Sequence, residues 1–259
     1  MKTSIIICTY NEEKTIEEVI ISCSELCEEC EVIVIDDGSK DNTETIVTEL
    51  QRHYPVTYEK IPENKGKSWA MAYGVEIAHN DIILFFDADV TNIKKNHFKK
   101  LIQPIIEQEA DMVLGQPTET LIDYRINPFR SLTGERAVRK EDITPILDDI
   151  REIRFGVETY INLYYQSKSK RIKRVLLDGL HHPTKYNKTK PIKATIELLN
   201  ESQEIALTML QNYDLIIKQI QAKISKTSGQ ARDNLINMQH VVNKKLASIK
   251  KWIDIDNMQ

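Results

Sequence analysis

Asp81-Ile82-Ile83-Leu84-Phe85-Phe86-Asp87-Ala88-Asp89 is the stretch that decides how this chain is read: a short run apolar at every position, then two carboxylates flanking one small residue. Such a run suits a strand buried on both faces, as in a parallel sheet covered by helices. Two similar β-branched runs lie upstream, at 3–9 (TSIIICT) and 31–36 (EVIVID). Between them, 12–26 carries Ile16, Val19, Ile20 and Cys23 at helical spacing. Outward from this β-α-β unit the pattern predicts a helix near 42–53, a strand near 56–60 and a helix near 66–78. Beyond the quoted strand it predicts a helix near 95–108 and a strand over 111–115. Alternation of this kind predicts an α/β fold, a mainly parallel sheet with helices on both faces. Sheets of that class place ligands at the carboxyl ends of their strands.

From 117 to 193 the periodicity weakens and Pro117, Pro128, Pro145, Pro183 and Pro191 interrupt it. This segment reads as loops and short helices laid over the sheet, where an acceptor would bind. From 194 onward Ile196, Leu199, Ala206, Leu210, Tyr213, Ile217, Ile220 and Ile224 return to helical spacing, and after Gly229 so do Leu235, Met238, Val242, Leu246, Ile249 and Ile253. The expected organisation is one domain over 1–193, with a first half at 1–116 and a second half at 117–193. A C-terminal helical hairpin would occupy 194–259, its apolar stripe serving as core, as the seam of a homodimer or as a membrane-facing surface, in that order of preference.

With 41% hydrophobic and 29% charged residues and a net charge of −4, the composition is that of a globular protein and argues against a nucleic-acid partner. The apolar run at the N-terminus is too short for a signal peptide, and no run approaches the roughly 18 residues that span a bilayer. The sequence therefore predicts a cytoplasmic protein whose membrane contact, at the inner face, is peripheral at most. Cys27 and Cys30 form a CxxC with no second pair and no nearby histidine, so reduced structural thiols are the expectation.

The chemistry gathers at the predicted strand ends. Thr9-Tyr10-Asn11-Glu12 follows the first strand, and Asp36-Asp37-Gly38-Ser39 with Asp41 follows the second. Such groups can hydrogen-bond a nucleobase and ribose, although Asp-Asp-Gly-Ser is equally a turn and cap sequence. Asn64-Lys65-Gly66-Lys67 opens a helix with a glycine between two lysines, a start that can receive an anionic group, and it lacks the Walker arrangement. Asp87 and Asp89 can hold a hard divalent cation such as Mg2+ or Mn2+ while leaving positions for phosphate oxygens. Two solvated aspartates are the ordinary alternative; two further polar loops at equivalent strand ends favour the metal.

Taken together these motifs resemble the family 2 glycosyltransferases of the GT-A fold, over roughly residues 1–185. The resemblance implies that Thr9, Tyr10, Glu12, Asp36, Asp37 and Lys67 bind a nucleotide-sugar donor, with UDP favoured and GDP possible. It implies that Asp87 and Asp89 bind Mg2+ or Mn2+, Asp89 most directly. Thr133-Gly134-Glu135-Arg136-Ala137-Val138-Arg139-Lys140 and Phe155-Gly156-Val157-Glu158-Thr159 look like the acceptor side of polyprenyl-phosphate glycosyltransferases and glucosyl-3-phosphoglycerate synthases. From this resemblance Arg136 and Arg139 are acceptor-binding candidates, and Glu158 is the candidate catalytic base, with Glu135 as its rival and a helix-start cap as its ordinary role. Some relatives add a histidine to the metal near Leu177-Asp178-Gly179-Leu180-His181-His182; His182 is favoured slightly over His181.

Residues 166–193 hold nine Lys or Arg against Asp178 alone. That excess is either a solvated loop or an attraction to an anionic acceptor, a small phosphate ester or a polyprenyl phosphate at a membrane. A metal-dependent hexosyltransferase with a phosphorylated acceptor is the reading these features favour. A sugar nucleotidyltransferase is disfavoured because Thr9-Tyr10-Asn11 stands where a glycine-rich, arginine-bearing loop is expected. A non-catalytic nucleotide-binding scaffold with a helical interaction tail is the third reading.

Overall fold

The computed structural model describes residues 1–119, 133–153, 156–181, 212–237, 239–240 and 243–244. Its strands are β1 (Thr3–Thr9), β2 (Glu31–Asp36), β3 (Val56–Lys60), β4 (Ile82–Asp87), β5 (Met112–Glu119), β6 (Arg136–Arg139) and β7 (Ile172–His181). They form one seven-stranded sheet in the order β3-β2-β1-β4-β6-β5-β7. β1 is parallel to both β2 and β4, and β2 is parallel to β3. β6 runs antiparallel between β4 and β5, and β7 closes the far edge parallel to β5.

The helices of the described residues are α1 (Ile16–Leu26), α2 (Thr43–Leu50), α3 (Lys67–Ile77), α4 (Lys95–Ile106), α5 (Lys140–Ile143), α6 (Leu147–Glu152), α7 (Val157–Ser167) and α8 (Tyr213–Ser225). The two-residue period of the strands divides the core into two layers. Ile5, Ile7, Val34, Leu84 and Phe86 face the layer containing α1, α2 and α4, and Phe86 stacks on Phe98 of α4. Ile6, Ile33, Ile35, Ile83 and Phe85 face the layer containing α3, α6 and α7. Burying each such side chain contributes about 1.5–3 kcal/mol, which is why these runs are apolar at every position. α3 lies close because its inner face is small: a Cβ on Gly74 would come within 2.5 Å of Ile6 Cγ2.

Two expectations change. The segment over 117–193 contains β6, β7 and α7 in addition to loops and short helices. β6 was invisible because Ala137 and Val138, both fully buried, are only two apolar residues between two arginines, too few for any periodicity. Cys27 and Cys30 are joined as a disulfide at the end of α1, in place of the reduced pair expected from composition. In the C-terminal extension α8 packs its Leu215 into the α7 layer, so that stretch is core, and helical residues resume over 230–237 after the turn at 226–229. Residues 194–211 and those beyond 244 lie outside the described residues. Among the described residues no helix is long and apolar enough to cross a membrane.

Candidate active site

β4 ends at Asp87, and in the turn that follows it Ala88 and Val90 are buried in the core while Asp87 and Asp89 are half-buried at the rim of the sheet. The loops after β1, after β2 and before α3 are laced together beside them. Asn11, held at a φ of 57°, receives its partners from the neighbouring loop: its N–H donates to Ser39 Oγ at 2.9 Å, and its Oδ1 accepts from Lys40 N–H at 2.8 Å. Glu12 N–H donates to Thr43 Oγ1 at 3.1 Å. Gly38, at a φ of 79°, lets the 63–64 backbone pass where a Cβ would meet Asn64 N at 3.0 Å.

The structure brings Thr9, Tyr10, Glu12, Asp36, Asp37, Lys67, Asp87, Asp89, Arg136 and Glu158 to this end of the sheet, but with different exposures. Tyr10 is 42% exposed at the rim, whereas Thr9, Asp36 and Asp37 are buried. Asp36 accepts from Ser39 N–H at 2.7 Å and from the Tyr58 hydroxyl at 2.8 Å. Asp37 accepts from the N–H groups of Lys65 and Gly66 at 2.7 and 2.8 Å and so fixes the loop that carries Lys67. Burial raises the Asp37 carboxyl above the ordinary aspartate value, against those two bonds.

Lys67 is the electrostatic centre. Its Nζ lies 2.8 Å from Asp87 Oδ1 and 3.0 Å from Glu158 Oε1. Burial works to lower the ammonium pKa, but Asp87 and Glu158 outweigh it and hold it well above the ordinary lysine value. The Glu158 carboxyl responds in the opposite sense: burial raises it, and the charges of Lys67 and Arg136 bring it below the ordinary glutamate value. Glu158 sits in the first turn of α7, after Gly156 in a left-handed conformation. Beneath this cluster Cys8 pairs in register with Asp87, and burial pushes its thiol up to about 12, so it stays protonated.

Arg136 is fully buried, donating from Nη2 to Thr133 O at 2.7 Å and from Nη1 to Glu158 O at 3.5 Å. It therefore supports the start of α7 from below. Arg139 is not brought to this site: β6 carries it to the opposite end of the sheet, 3.9 Å from both Asp111 and Glu141. Glu135 is fully buried, its Oε2 2.6 Å from Thr133 Oγ1, so of the two candidate glutamates it is Glu158 that reaches the rim.

His182 lies outside the described residues, but His181 does not. It exchanges backbone hydrogen bonds with Thr91, just past Asp89, at 3.0 and 3.1 Å. Asn92 donates to Gly179 O at 2.6 Å, and buried His97, neutral because burial holds its imidazole below the ordinary value, donates to Asp178 O at 3.1 Å. The end of β7 is thus stitched to the segment that follows Asp89. Sequence reasoning had no signal for Tyr58, Asn92 or His97, whose roles depend on pairing between distant segments.

Among the described residues no group of three or more His, Cys, Asp or Glu is gathered to hold a metal by itself. The Asp87 carboxylate, half-buried and already facing a cation in Lys67, nevertheless suits a hard divalent ion whose other ligands are phosphate oxygens.

A sheet of this order with the acidic pair at the exit of its central parallel strand defines a GT-A-type α/β protein. Residues 4–155, more than half of the sequence, match the family described as Glycosyl transferase family 2. The chain belongs to that family of enzymes. It is 26% identical over 248 residues to an uncharacterized glycosyltransferase, YfnE, of Bacillus subtilis, covering 87% of this chain and 62% of that protein. It is 33% identical over 117 residues to a dolichol-phosphate mannosyltransferase of Pyrococcus furiosus, covering 44% of this chain and 33% of that one. The chain thus spans about a third to two thirds of the length of these relatives. In structure it is similar to glucosyl-3-phosphoglycerate synthase of Mycobacterium tuberculosis in complex with phosphoglyceric acid, with a TM-score of 0.63 at 24% identity over 81% of this chain and 79% of that one. Other crystals of that synthase hold Mn2+ with UDP-glucose and phosphoglyceric acid, or Mg2+ with UDP.

Proposed function

We propose that this chain transfers a hexose from a UDP-sugar to a phosphate-bearing acceptor, using a divalent cation held by Asp87 and Asp89. The observation that carries the reading is the acidic pair at the exit of β4, with Lys67 Nζ 2.8 Å from Asp87, beside three laced polar loops. Support for the donor comes from crystals of the glucosyl-3-phosphoglycerate synthase that hold UDP or UDP-glucose. Support for a phosphate-bearing acceptor comes from the phosphoglyceric acid in those neighbours and from the basic residues over 166–193.

Exposed Tyr10, with Thr9 and Glu12, lies where a base and ribose would rest, and Asp36 and Asp37 shape that floor. Lys67 moves its charge toward the diphosphate as the donor enters. The cation, when bound, supplies neutralisation of the charge that grows on the departing nucleoside diphosphate. His182, which directly follows the residue bonded to Thr91, is the proposed third ligand. Glu158 is the carboxylate offered to an acceptor hydroxyl; being ionised it can accept the proton, but with its lowered pKa it is a weak base.

The test is hydrolysis and transfer measured with UDP-, GDP- and TDP-sugars and Mn2+. Wild type turns over a UDP-sugar, and Asp89→Ala loses about 100-fold or more, about 3 kcal/mol of transition-state stabilisation. A wild-type protein that consumes no donor, or an Asp89→Ala variant as active as wild type, would remove the proposal.

A further inference from the structure

Gly134 lies where the chain enters β6, and the antiparallel register that sets Phe85 against Arg136 carries it across from Asp87. Its φ is outside the left-handed region, so conformation does not require glycine. Space does. A Cβ at this position would lie 2.0 Å from Asp87 Oδ2 and 2.3 Å from both Cγ and Oδ1, far inside the roughly 3.5–4.0 Å of ordinary contact.

Neither side can retreat freely. Thr133 Oγ1 donates to Gly115 O at 2.5 Å, Thr133 O accepts from buried Arg136 at 2.7 Å, and Gly115 N–H donates to Glu135 O at 2.8 Å. These bonds pin the residues on both sides of Gly134 to the sheet. The Asp87 carboxylate is also paired through Oδ1 with Lys67 Nζ at 2.8 Å, a contact that any displacement gives up. Asp87 is a short side chain with two torsions, so a methyl group at 134 is relieved only by swinging the carboxylate out of this seat.

We propose that Gly134 is a positioning residue: its bare Cα forms a wall of the Asp87 seat and so sets where the first carboxylate of Asp87-Ala88-Asp89 is presented. The consequence for metal binding rests on the proposed function; the seat itself does not.

The experiment compares wild type, Gly134→Ala, Asp87→Ala and the double variant by crystal structure, Tm and Mn2+ affinity in the presence of UDP. In Gly134→Ala the Asp87 carboxylate is displaced from Lys67, and Mn2+ binding weakens about 10-fold or more, the range seen when a ligand's supporting contacts are removed. In the Asp87→Ala background the same change costs no further affinity, and any Tm lost by Gly134→Ala is recovered, because the three nearest atoms all belong to that carboxylate. Ile20→Ala is the packing control: Ile20 is fully buried in the middle of α1, so its truncation lowers Tm and leaves Mn2+ affinity unchanged. An unmoved Asp87 in Gly134→Ala overturns the inference, as does a loss that adds to that of Asp87→Ala or a Tm that the double variant does not recover. If wild type binds no Mn2+, the proposed function falls, and the position of Asp87 in the Gly134→Ala crystal alone decides the inference.

Discussion

The two ends of the sheet handle buried charge differently. At the amino ends of the strands Asp111 is enclosed by arginine: Arg171 donates to it from N at 2.8 Å, from Nε at 3.2 Å and from Nη2 at 3.0 Å, with Arg139 Nη2 at 3.9 Å. At the carboxyl ends Asp87 and Glu158 share Lys67, whose side chain is 41% exposed. A guanidinium fork holds a carboxylate with several directed bonds, whereas an ammonium on a flexible stem is a point charge that moves readily. One end holds its carboxylate by several directed bonds, the other by a single shared point charge.

Glu158→Gln attacks that contrast at the lysine end and carries the largest expected effect. It lowers kcat by about 100-fold, the lower limit for general-base removal given the weak basicity of this carboxylate. Steady-state kinetics with saturating donor measures it, and a kcat within a few-fold of wild type would assign Glu158 to holding Lys67 only.

Asp111→Ala breaks the closed end. It costs about 1 kcal/mol by removing the hydrogen bonds from Arg171, whose half-exposed guanidinium turns to water, and it leaves Mn2+ affinity untouched; denaturant melts and metal titration read the two separately. The pH dependence has a definite sign. Hydrogen bonds from Arg171 lower the folded Asp111 pKa below the ordinary aspartate value. Its stabilisation is therefore complete above that ordinary value, about 4, and is lost as pH falls toward the folded pKa. Wild type should lose stability over that window more steeply than Asp111→Asn, as acid unfolding curves would show.

The smallest effect sharpens the comparison from outside. Lys60 and Glu44 form a 2.5 Å pair near the site end, with side chains 31% and 54% exposed. Lys60→Ala should change stability by less than about 0.5 kcal/mol, since exposed pairs are screened and cost side-chain entropy. A larger change in a thermal melt would mean that nearness to the site end, and not enclosure by guanidinium, sets the value of an ion pair here.

Much of this was legible in the residues. The strands β1 to β4 are apolar at nearly every position because helices cover both faces, so Ile5 to Ile7, Val32 to Ile35 and Ile82 to Phe86 declared themselves. Asp87 and Asp89 stood out because charge directly after such a run must lie at a strand end. Arg136 and Arg139 show where reading stopped. They sit three residues apart in one motif, yet β6 carries one beneath Glu158 and the other to the opposite end of the sheet, because an extended strand advances about 3.3 Å per residue. Nothing in the spacing of RAVR distinguishes that strand from a loop.

By itself the sequence determined the layered α/β class, the polar loops at the carboxyl ends and the acidic pair, since these follow from local periodicity and from which residues can be buried. Only the tertiary structure decided that Glu158 rather than Glu135 faces the rim, that Lys67 is shared between Asp87 and Glu158, and that Gly134 walls the Asp87 seat. Those facts depend on the register of an antiparallel strand and on contacts between segments tens of residues apart, where position is set by how the whole sheet packs and not by any neighbour in the chain.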